Sequence, residues 1–311
     1  SLYRSNSFFQ HSKEMKICII GGNSFLSTAI GKACESQPKV SILVLGRSKP
    51  RNYSYNEYQE IDLEAQHIDA SKLIDCDFII YCVGAGIQSR LKEGIDKIYL
   101  LNHVRPMELC NSLRMLDFKG VVVSFGSVFE MGETNHKNKF SEEEVMTSIS
   151  PSPNDYVVSK RLFSRFVNSY KKSFKHWHFI IPTIYGQGED SNRLIPYTIH
   201  SIQQSKTLHF TSGSQVRQYL HVDDAVNALF HAINKALPSG IYNLESTDIL
   251  SVKEVVSTIF SQLNQPIPNG CFGSTSRSDE KMLYLALDGS KLKSMIGEYQ
   301  TIVLKNSILC Y

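Results

Sequence analysis

The chain has 311 residues, of which 42% are hydrophobic and 20% charged, and its formal net charge is +3. That is enough chain for a large core and one or two domains. So small a charge gives no reason to expect nucleic acid or a membrane surface as a partner, and no apolar run reaches transmembrane length.

Residues 1–14, SLYRSNSFFQHSKE, are polar and lack the apolar centre of a signal peptide, so they read as an N-terminal extension. Lys16–Ile20 is an apolar run ending at Gly21 and reads as a buried strand. Phe25–Glu35 has helical spacing, Val40–Leu45 is a second strand, Ile68–Ile74 a short helix and Phe78–Val83 a further strand. Glu108–Leu116 is helical and Gly120–Ser124 a strand. The segment Glu130–Pro153 is polar and reads as a loop near the site. Tyr156–Phe174 carries apolar residues on one face of a long amphipathic helix, and Phe179–Ile181 is one more strand. Strands alternating with helices predict an α/β fold, a Rossmann-type doubly wound parallel sheet covered on both faces. This dinucleotide-type domain is expected over 15–182. After Pro182 the pattern loosens, predicting a smaller, mostly substrate-binding portion over 183–311, with some segments returning to the first domain. Seven cysteines, an odd count without close pairing, predict a reduced, cytoplasmic protein. No metal-ligand spacing is present.

The stretch IIGGNSFLSTAIG (Ile19–Gly31) is a strand-turn-helix. Such a turn sets backbone N–H groups and a helix dipole against a pyrophosphate, making Gly21, Asn23, Ser24, Phe25 and Leu26 the candidate phosphate-binding group. Gly21 keeps the bend, but serines 24 and 27 occupy the other two glycine positions of the pattern. Ser24 is expected to offer its hydroxyl to the phosphate; a plain strand-to-helix turn would look the same. At the end of the second strand, LGRSKPR has Gly46 where an acid would hold an adenosine 2′-hydroxyl. Arg47 and Ser48 suit a 2′-phosphate instead, favouring NADP over NAD, although a solvated basic loop has the same composition.

Tyr156-Val-Val-Ser-Lys160 places a phenol and an ammonium on one helix face. The ammonium is expected to lower the tyrosine pKa toward working pH, giving a general acid for a carbonyl that receives hydride. Ser124 and Ser127, in VVVSFGSVFEMG, are candidates to polarise the same carbonyl, or to cap the turn that follows.

These features, with RQYLHVDDAVNAL (Arg217–Leu229), IPTIYGQG (Ile181–Gly188), GIYNLES (Gly240–Ser246) and LDGSKLKSMIG (Leu287–Gly297), resemble the extended short-chain dehydrogenase/reductases, the NAD-dependent epimerase/dehydratase family acting on nucleotide sugars. The resemblance runs from about residue 16 to about residue 297. It implies Tyr156 as acid/base and Lys160 as the residue that holds the nicotinamide ribose and tunes that tyrosine. It places Asp62 and Leu63 at adenine, Val83, Gly84 and Ala85 along the cofactor, and Asn102 and Pro182 beside it. Arg217 is implied at the substrate diphosphate, Asp223 and Asp224 in local hydrogen bonds, and a homodimer through the helices near 108–116 and 156–174. The family's Ser/Thr aligns with Phe125. Ser124 is one place early and Ser127 two places late; Ser124 is taken as the catalytic serine, with both serines near substrate. Phe129 and Glu130 replace a tyrosine and a glycine of the family.

Lacking an acid after the second strand and carrying Arg47 and a loosened glycine turn, the chain reads as an NADPH-dependent reductase of a nucleotide-linked keto sugar, a 4-keto-6-deoxyhexose. The alternatives are a nucleotide-sugar epimerase with tightly held NAD, or a non-catalytic dinucleotide-binding regulator.

Overall fold

The computed structural model describes residues 8–9 and 13–311. In chain order the first half comprises β1 (Met15–Ile20), α1 (Phe25–Glu35), β2 (Val40–Gly46), β3 (Glu57–Glu60), β4 (Phe78–Tyr81), α2 (Ile95–Tyr99), α3 (Arg105–Met115), β5 (Val121–Ser127), α4 (Glu142–Thr147), α5 (Asp155–Ser169) and β6 (Lys175–Ile181). Then follow β7 (Thr183–Tyr185), α6 (Leu194–Gln203), β8 (Val216–His221), α7 (Val222–Asn234), β9 (Gly240–Asn243), β10 (Asp248–Ser251), α8 (Val252–Gln262) and β11 (Tyr284–Leu285).

Seven strands form one parallel sheet in the order β3-β2-β1-β4-β5-β6-β9. Its inner strands are apolar on both faces because both faces are covered. Ile17, Ile19, Val44 and Ile80 pack toward α1 and α7, while Cys18, Ile20, Ile79 and Val122 pack toward α3. β8 centres a second small sheet, parallel to β7 and β11 and antiparallel to β10. Between these, β9 returns to the main sheet beside β6.

Several expectations change. β3, Glu-Tyr-Gln-Glu, lacks an apolar signature because it is an edge strand that, among the described residues, pairs only with β2. The helix expected over Ile68–Ile74 is a single 3₁₀ turn, Ala70–Leu73, and Ile74 is exposed. The long helix ends at Ser169 rather than Phe174, since Tyr170 is extended and turns the chain toward β6. The loop expected over Glu130–Pro153 holds α4. Both α4 and the 3₁₀ turn Val128–Met131 are opened by a Ser-x-x-Glu capping box, Ser127/Glu130 and Ser141/Glu144. Those two spacings are visible in the sequence and are the signal that finds both turns.

Of the expected N-terminal extension, residues 1–7 and 10–12 lie outside the described residues. The Phe8 and Phe9 rings pack at a tilt against Phe230 of α7, centroids 5.5 and 4.6 Å away, and Asn234 Nδ2 donates to the Phe8 carbonyl at 3.0 Å. This part of the extension belongs to the core. Among the described residues no helix is long and apolar enough to cross a membrane, and no cluster of metal-ligating side chains occurs.

Candidate active site

The β1–α1 turn keeps one glycine for a steric reason. Gly21 has φ +84°, and a Cβ there would stand 2.7 Å from Val83 Cγ2 and 3.1 Å from Val83 N. Ser24 is the N-cap of α1: its Oγ accepts from Ser27 N at 3.1 Å and donates to Ser27 Oγ at 2.8 Å. The hydroxyl expected to reach a phosphate therefore closes the helix's own end. The N–H groups of Phe25 and Leu26, at the first two helical positions, have no intrahelical acceptor and stand at the carboxyl end of β1. They are the groups that fit a pyrophosphate. The close packing sought at position 27 occurs at Gly31, where a Cβ would lie 2.4 Å from the Tyr53 ring, and at Gly22, whose carbonyl accepts from the Tyr53 hydroxyl at 2.9 Å.

Tyr53 thereby draws the β2–β3 loop against α1. Asn23 Nδ2 donates to Ser48 O at 3.1 Å and to Ser48 Oγ at 3.0 Å, tying that loop to the turn. Arg47 is exposed and pairs with Glu64 Oε2 at 3.3 Å. Asp62 Oδ1 accepts from Glu64 N at 3.0 Å, and the buried Leu63 offers its carbonyl to Arg105 Nε at 2.7 Å. Asn102 sits on a π-helical turn, Leu100–Val104. Its Oδ1 accepts from Ala85 N at 2.9 Å, and its Nδ2 donates to Ala85 O at 2.8 Å and Ser159 Oγ at 3.0 Å. It holds the Val83–Gly86 turn against α5.

Asn154 caps α5 by accepting from Val157 N at 3.0 Å, which puts Tyr156 in the first turn and Lys160 one turn further on. Both are partly buried. Lys160 Nζ donates to Phe125 O at 2.5 Å. Burial holds its ammonium below the ordinary range, and Glu130 pulls it back up. The tyrosine does not behave as expected. Burial pushes its phenol up to about 12, against a hydrogen bond from Ser127 and the charge of Arg193. The ammonium, held on a carbonyl, does not offset desolvation.

Ser127 is thus the serine beside Tyr156. It ends β5, caps the following turn by accepting from Phe129 N at 3.2 Å, and its side chain lies beside the Tyr156 hydroxyl, whose pKa it lowers. Ser124, expected to complete the site, lies three residues back, with its side chain toward α5. Its Oγ is 2.7 Å from both His176 Nε2 and His178 Nδ1. Three steps along a strand reverse the face, so one serine reaches Tyr156 and the other the core.

Arg217 is buried. Its guanidinium donates to Met282 O at 2.6 Å and Val216 O at 2.9 Å, pairs with Asp279 Oδ2 at 3.3 Å and lies over the Phe129 ring at 5.7 Å. The group expected at a substrate diphosphate is therefore occupied by a carboxylate of the 272–283 loop. An open cavity of ≈ 640 Å³ flanks this clamp, lined by Glu133, His136, Glu280 and Lys281, among others, and by none of the candidate catalytic side chains. Asp224 accepts from Thr301 N, Thr301 Oγ1 and Ile302 N at 2.9–3.0 Å, a purely local task.

Residues 17–244 match the NAD dependent epimerase/dehydratase family. The chain belongs to this family. It is 30% identical over 146 residues to a dTDP-D-glucose 4,6-dehydratase of Dictyostelium discoideum, covering 44% of this chain and 33% of that one. It is 26% identical over 100 residues to a GDP-6-deoxy-D-talose 4-dehydrogenase of Aggregatibacter actinomycetemcomitans, covering 31% and 34%. The matched segment thus spans about a third of each of these relatives. The solved dTDP-glucose 4,6-dehydratase DesIV from Streptomyces venezuelae, with NAD and TYD bound, superposes with TM-score 0.78 over 96% of this chain and 97% of that one. At 16% identity that likeness shows the fold, the Rossmann fold of the extended short-chain enzymes.

Within this family member, sequence reasoning missed Glu130, Arg193, Glu64 and Asp279 as residues that act on the site. Only Glu130 left a trace, as the family glycine replaced by an acid. The two core histidines beside Ser124 carry a consequence for stability. Burial, with help from Lys172, pushes His176 down to about 3, and His178 is also held well below its ordinary 6.5 by burial and its cationic neighbours. Unfolded chain binds protons at these rings first, so the stability they confer is present above about pH 6.5 and is lost as pH falls toward 3. Each ring contributes a slope of about 1.4 kcal/mol per pH unit in that window. Denaturant midpoints taken between pH 7 and pH 5 should fall, and His178→Gln should flatten the slope; an unchanged slope would show that the ring is not held neutral.

Proposed function

We propose that the protein is an NADPH-dependent reductase of a nucleotide-linked keto sugar, the sugar a 4-keto-6-deoxyhexose. The observation that carries this reading is the end of β2. Gly46 presents no carboxylate there, Arg47 follows it, and Ser48 is bonded to Asn23 of the phosphate turn. A guanidinium and a hydroxyl suit a 2′-phosphate. The relative named as a GDP-6-deoxy-D-talose 4-dehydrogenase supports redox chemistry at that carbon of a 6-deoxy sugar. Tyr156, neutral at working pH, is in the form a proton donor needs at the start of a reduction.

The dinucleotide, when bound, supplies the hydride. The first-turn N–H groups of α1 hold its pyrophosphate, and Asn102 keeps the Val83–Gly86 turn in place beside it. Ser127 and Tyr156 converge on the carbonyl oxygen, and Tyr156 gives it a proton as negative charge develops. Lys160, on the same helix face, binds ribose and steadies the phenolate that remains. Arg217 takes the substrate diphosphate once Asp279 gives way.

One observation favours the alternative, an epimerase retaining NAD: the Glu64 carboxylate partly neutralises Arg47. The experiment that separates them is to denature the purified protein, identify any released dinucleotide, and assay NADPH and NADH oxidation with a panel of nucleotide 4-keto-6-deoxy sugars. Released NAD and no net oxidation would replace the reductase by the epimerase. Arg47→Ala should cost about 1.5–3 kcal/mol of NADP affinity, the range for a charged hydrogen bond, with NAD affinity nearly unchanged. Equal losses for both cofactors would remove the argument.

We also infer a cytoplasmic protein, supported by seven unpaired cysteines, and a homodimer. Support for the dimer is the exposed apolar set Met115, Leu116 and Leu162 at α3 and α5. A monomer mass by light scattering at micromolar concentration would overturn it.

A further inference from the structure

Beneath the Tyr156–Lys160 pair lies a run of buried polar side chains that the chemistry above does not use. Ser164 Oγ is 2.8 Å from His178 Nε2, and His178 Nδ1 is 2.7 Å from Ser124 Oγ. Ser124 Oγ is 2.7 Å from His176 Nε2, and His176 Nδ1 is 2.8 Å from the Tyr170 hydroxyl. The two serines and two histidines are essentially without solvent exposure, whereas Tyr170 is partly exposed at the end of α5. At the inner end Ser164 approaches the Glu130 carboxylate. Glu130 Oε2 accepts from Ser127 N at 2.7 Å, and its charge acts on both Tyr156 and Lys160. Gly126 leaves room for this junction: a Cβ there would stand 2.7 Å from Glu130 Oε2 and 2.9 Å from His178 Nε2.

A core that needed only filling could use apolar side chains without desolvating these groups. The chain also has a definite polarity. Ser124 has one hydroxyl proton between two ring nitrogens, so one ring accepts from it and the other donates to it. An ionised carboxylate only accepts. With Glu130 ionised, one arrangement satisfies the four hydrogen-bonded links: Tyr170 donates to His176 Nδ1, His176 Nε2 to Ser124, Ser124 to His178 Nδ1, and His178 Nε2 to Ser164, leaving the Ser164 proton to face the Glu130 carboxylate, whose buried Oε1 has no hydrogen-bond partner among the described residues. The reversed arrangement runs each of these links the other way, with a protonated Glu130 facing Ser164. Shifting one proton per link converts one arrangement into the other.

We propose that Tyr170, His176, Ser124, His178, Ser164 and Glu130 form a proton relay that resupplies the Tyr156–Lys160 site from solvent after each reduction. The proposal rests on the reading of Tyr156 as proton donor. In that step the Tyr156 O–H bond breaks and its proton joins the carbonyl oxygen, leaving a phenolate. Glu130 then restores one proton through the space it shares with Ser127 and Lys160. Each link passes one proton inward and Tyr170 takes one from water, so no charge accumulates, and the hydroxyls and rings, left in the reversed arrangement, reorient before the next passage. The groups facing the relay are Tyr156, Lys160 and Arg161 at Glu130, Lys160 and Lys172 at His178, and Cys110, Arg114 and Lys172 at Tyr170. Cys110 Sγ also lies 3.9 Å from His176 Nδ1.

The test needs no substrate in its first arm. In the full chain labelled with ¹⁵N-histidine, His176 and His178 should both be neutral Nε2–H tautomers at neutral pH. Both should switch together to Nδ1–H in one acid step, and Glu130→Gln should abolish that step. Opposite tautomers, or independent titration of the two rings, would overturn the relay. In the second arm, with a panel compound that turns over, Ser124→Ala should leave single-turnover hydride transfer unchanged. It should lower steady-state kcat by about 10²-fold, the lower end for acid–base catalysis, with recovery in imidazole buffer and in Ser124→Thr. Equal loss of both rates, without recovery, would overturn the relay in favour of a packing role. A concerted tautomer switch with no turnover on any panel compound would uphold the relay and overturn the substrate reading.

Discussion

Replacing Tyr156 with phenylalanine is expected to lower kcat by about 10²–10⁴-fold, the contribution typical of general acid catalysis, while KM changes little. The ring and its place in the first turn of α5 remain, so substrate and dinucleotide still bind. What disappears is the hydroxyl beside Ser127, and with it the proton offered as the carbonyl oxygen gains charge. Because burial pushes this phenol up to about 12, its donor form persists across the neutral range, and turnover should not require prior ionisation of Tyr156. The measurement is NADPH oxidation on the reactive member of the sugar-nucleotide panel. Wild-type turnover by Tyr156→Phe would end the proposed mechanism.

The second large effect is expected at Ser127. Ser127→Ala removes one hydrogen bond to the developing oxyanion and should cost about 10²-fold in kcat, close to the loss seen when one such donor is deleted. It also removes the N-cap of the Val128–Met131 turn, worth about 1 kcal/mol of stability. Ser127→Thr restores a hydroxyl to both tasks and should recover most of each. In single-turnover experiments Ser127→Ala should slow hydride transfer where Ser124→Ala does not. The reverse order would return the catalytic role to Ser124.

Which serine reaches Tyr156 was not legible from the run VVVSFGSVFEMG, because it depends on where β5 ends. The strand continues to Ser127, and its pleat sends Ser124 toward His176 and His178. The order of the apolar strands and of α1 could be read directly, since a doubly covered parallel sheet demands continuous apolar runs. β3 could not, since an edge strand need not be apolar. Asn102 and the Tyr156/Lys160 spacing came from motif and helix geometry, whereas the Glu64–Arg47 and Asp279–Arg217 pairs join residues 17 and 62 positions apart. The elevated Tyr156 phenol depends on desolvation, which no local spacing reports. Glu130 is the instructive miss: an acid at a family glycine looks like a defect until Gly126 is seen to leave space for it.

The place of β9 bears on how the chain must be synthesised. The outer neighbour of β6 is supplied by residues 240–243, some sixty positions after β6 itself. Until they leave the ribosome, β6 is an unpaired edge with an apolar face, the kind of surface that recruits strands from other chains. Of the small sheet only β7 and β8 precede β9, together with α6 and α7, while β10 and β11 follow it. A fragment ending near Pro182 would carry every candidate catalytic residue and still lack the strand that closes the sheet. Catalytic completeness and folding completeness therefore fall at different points along the nascent chain, and expression constraints on truncated forms follow from the second.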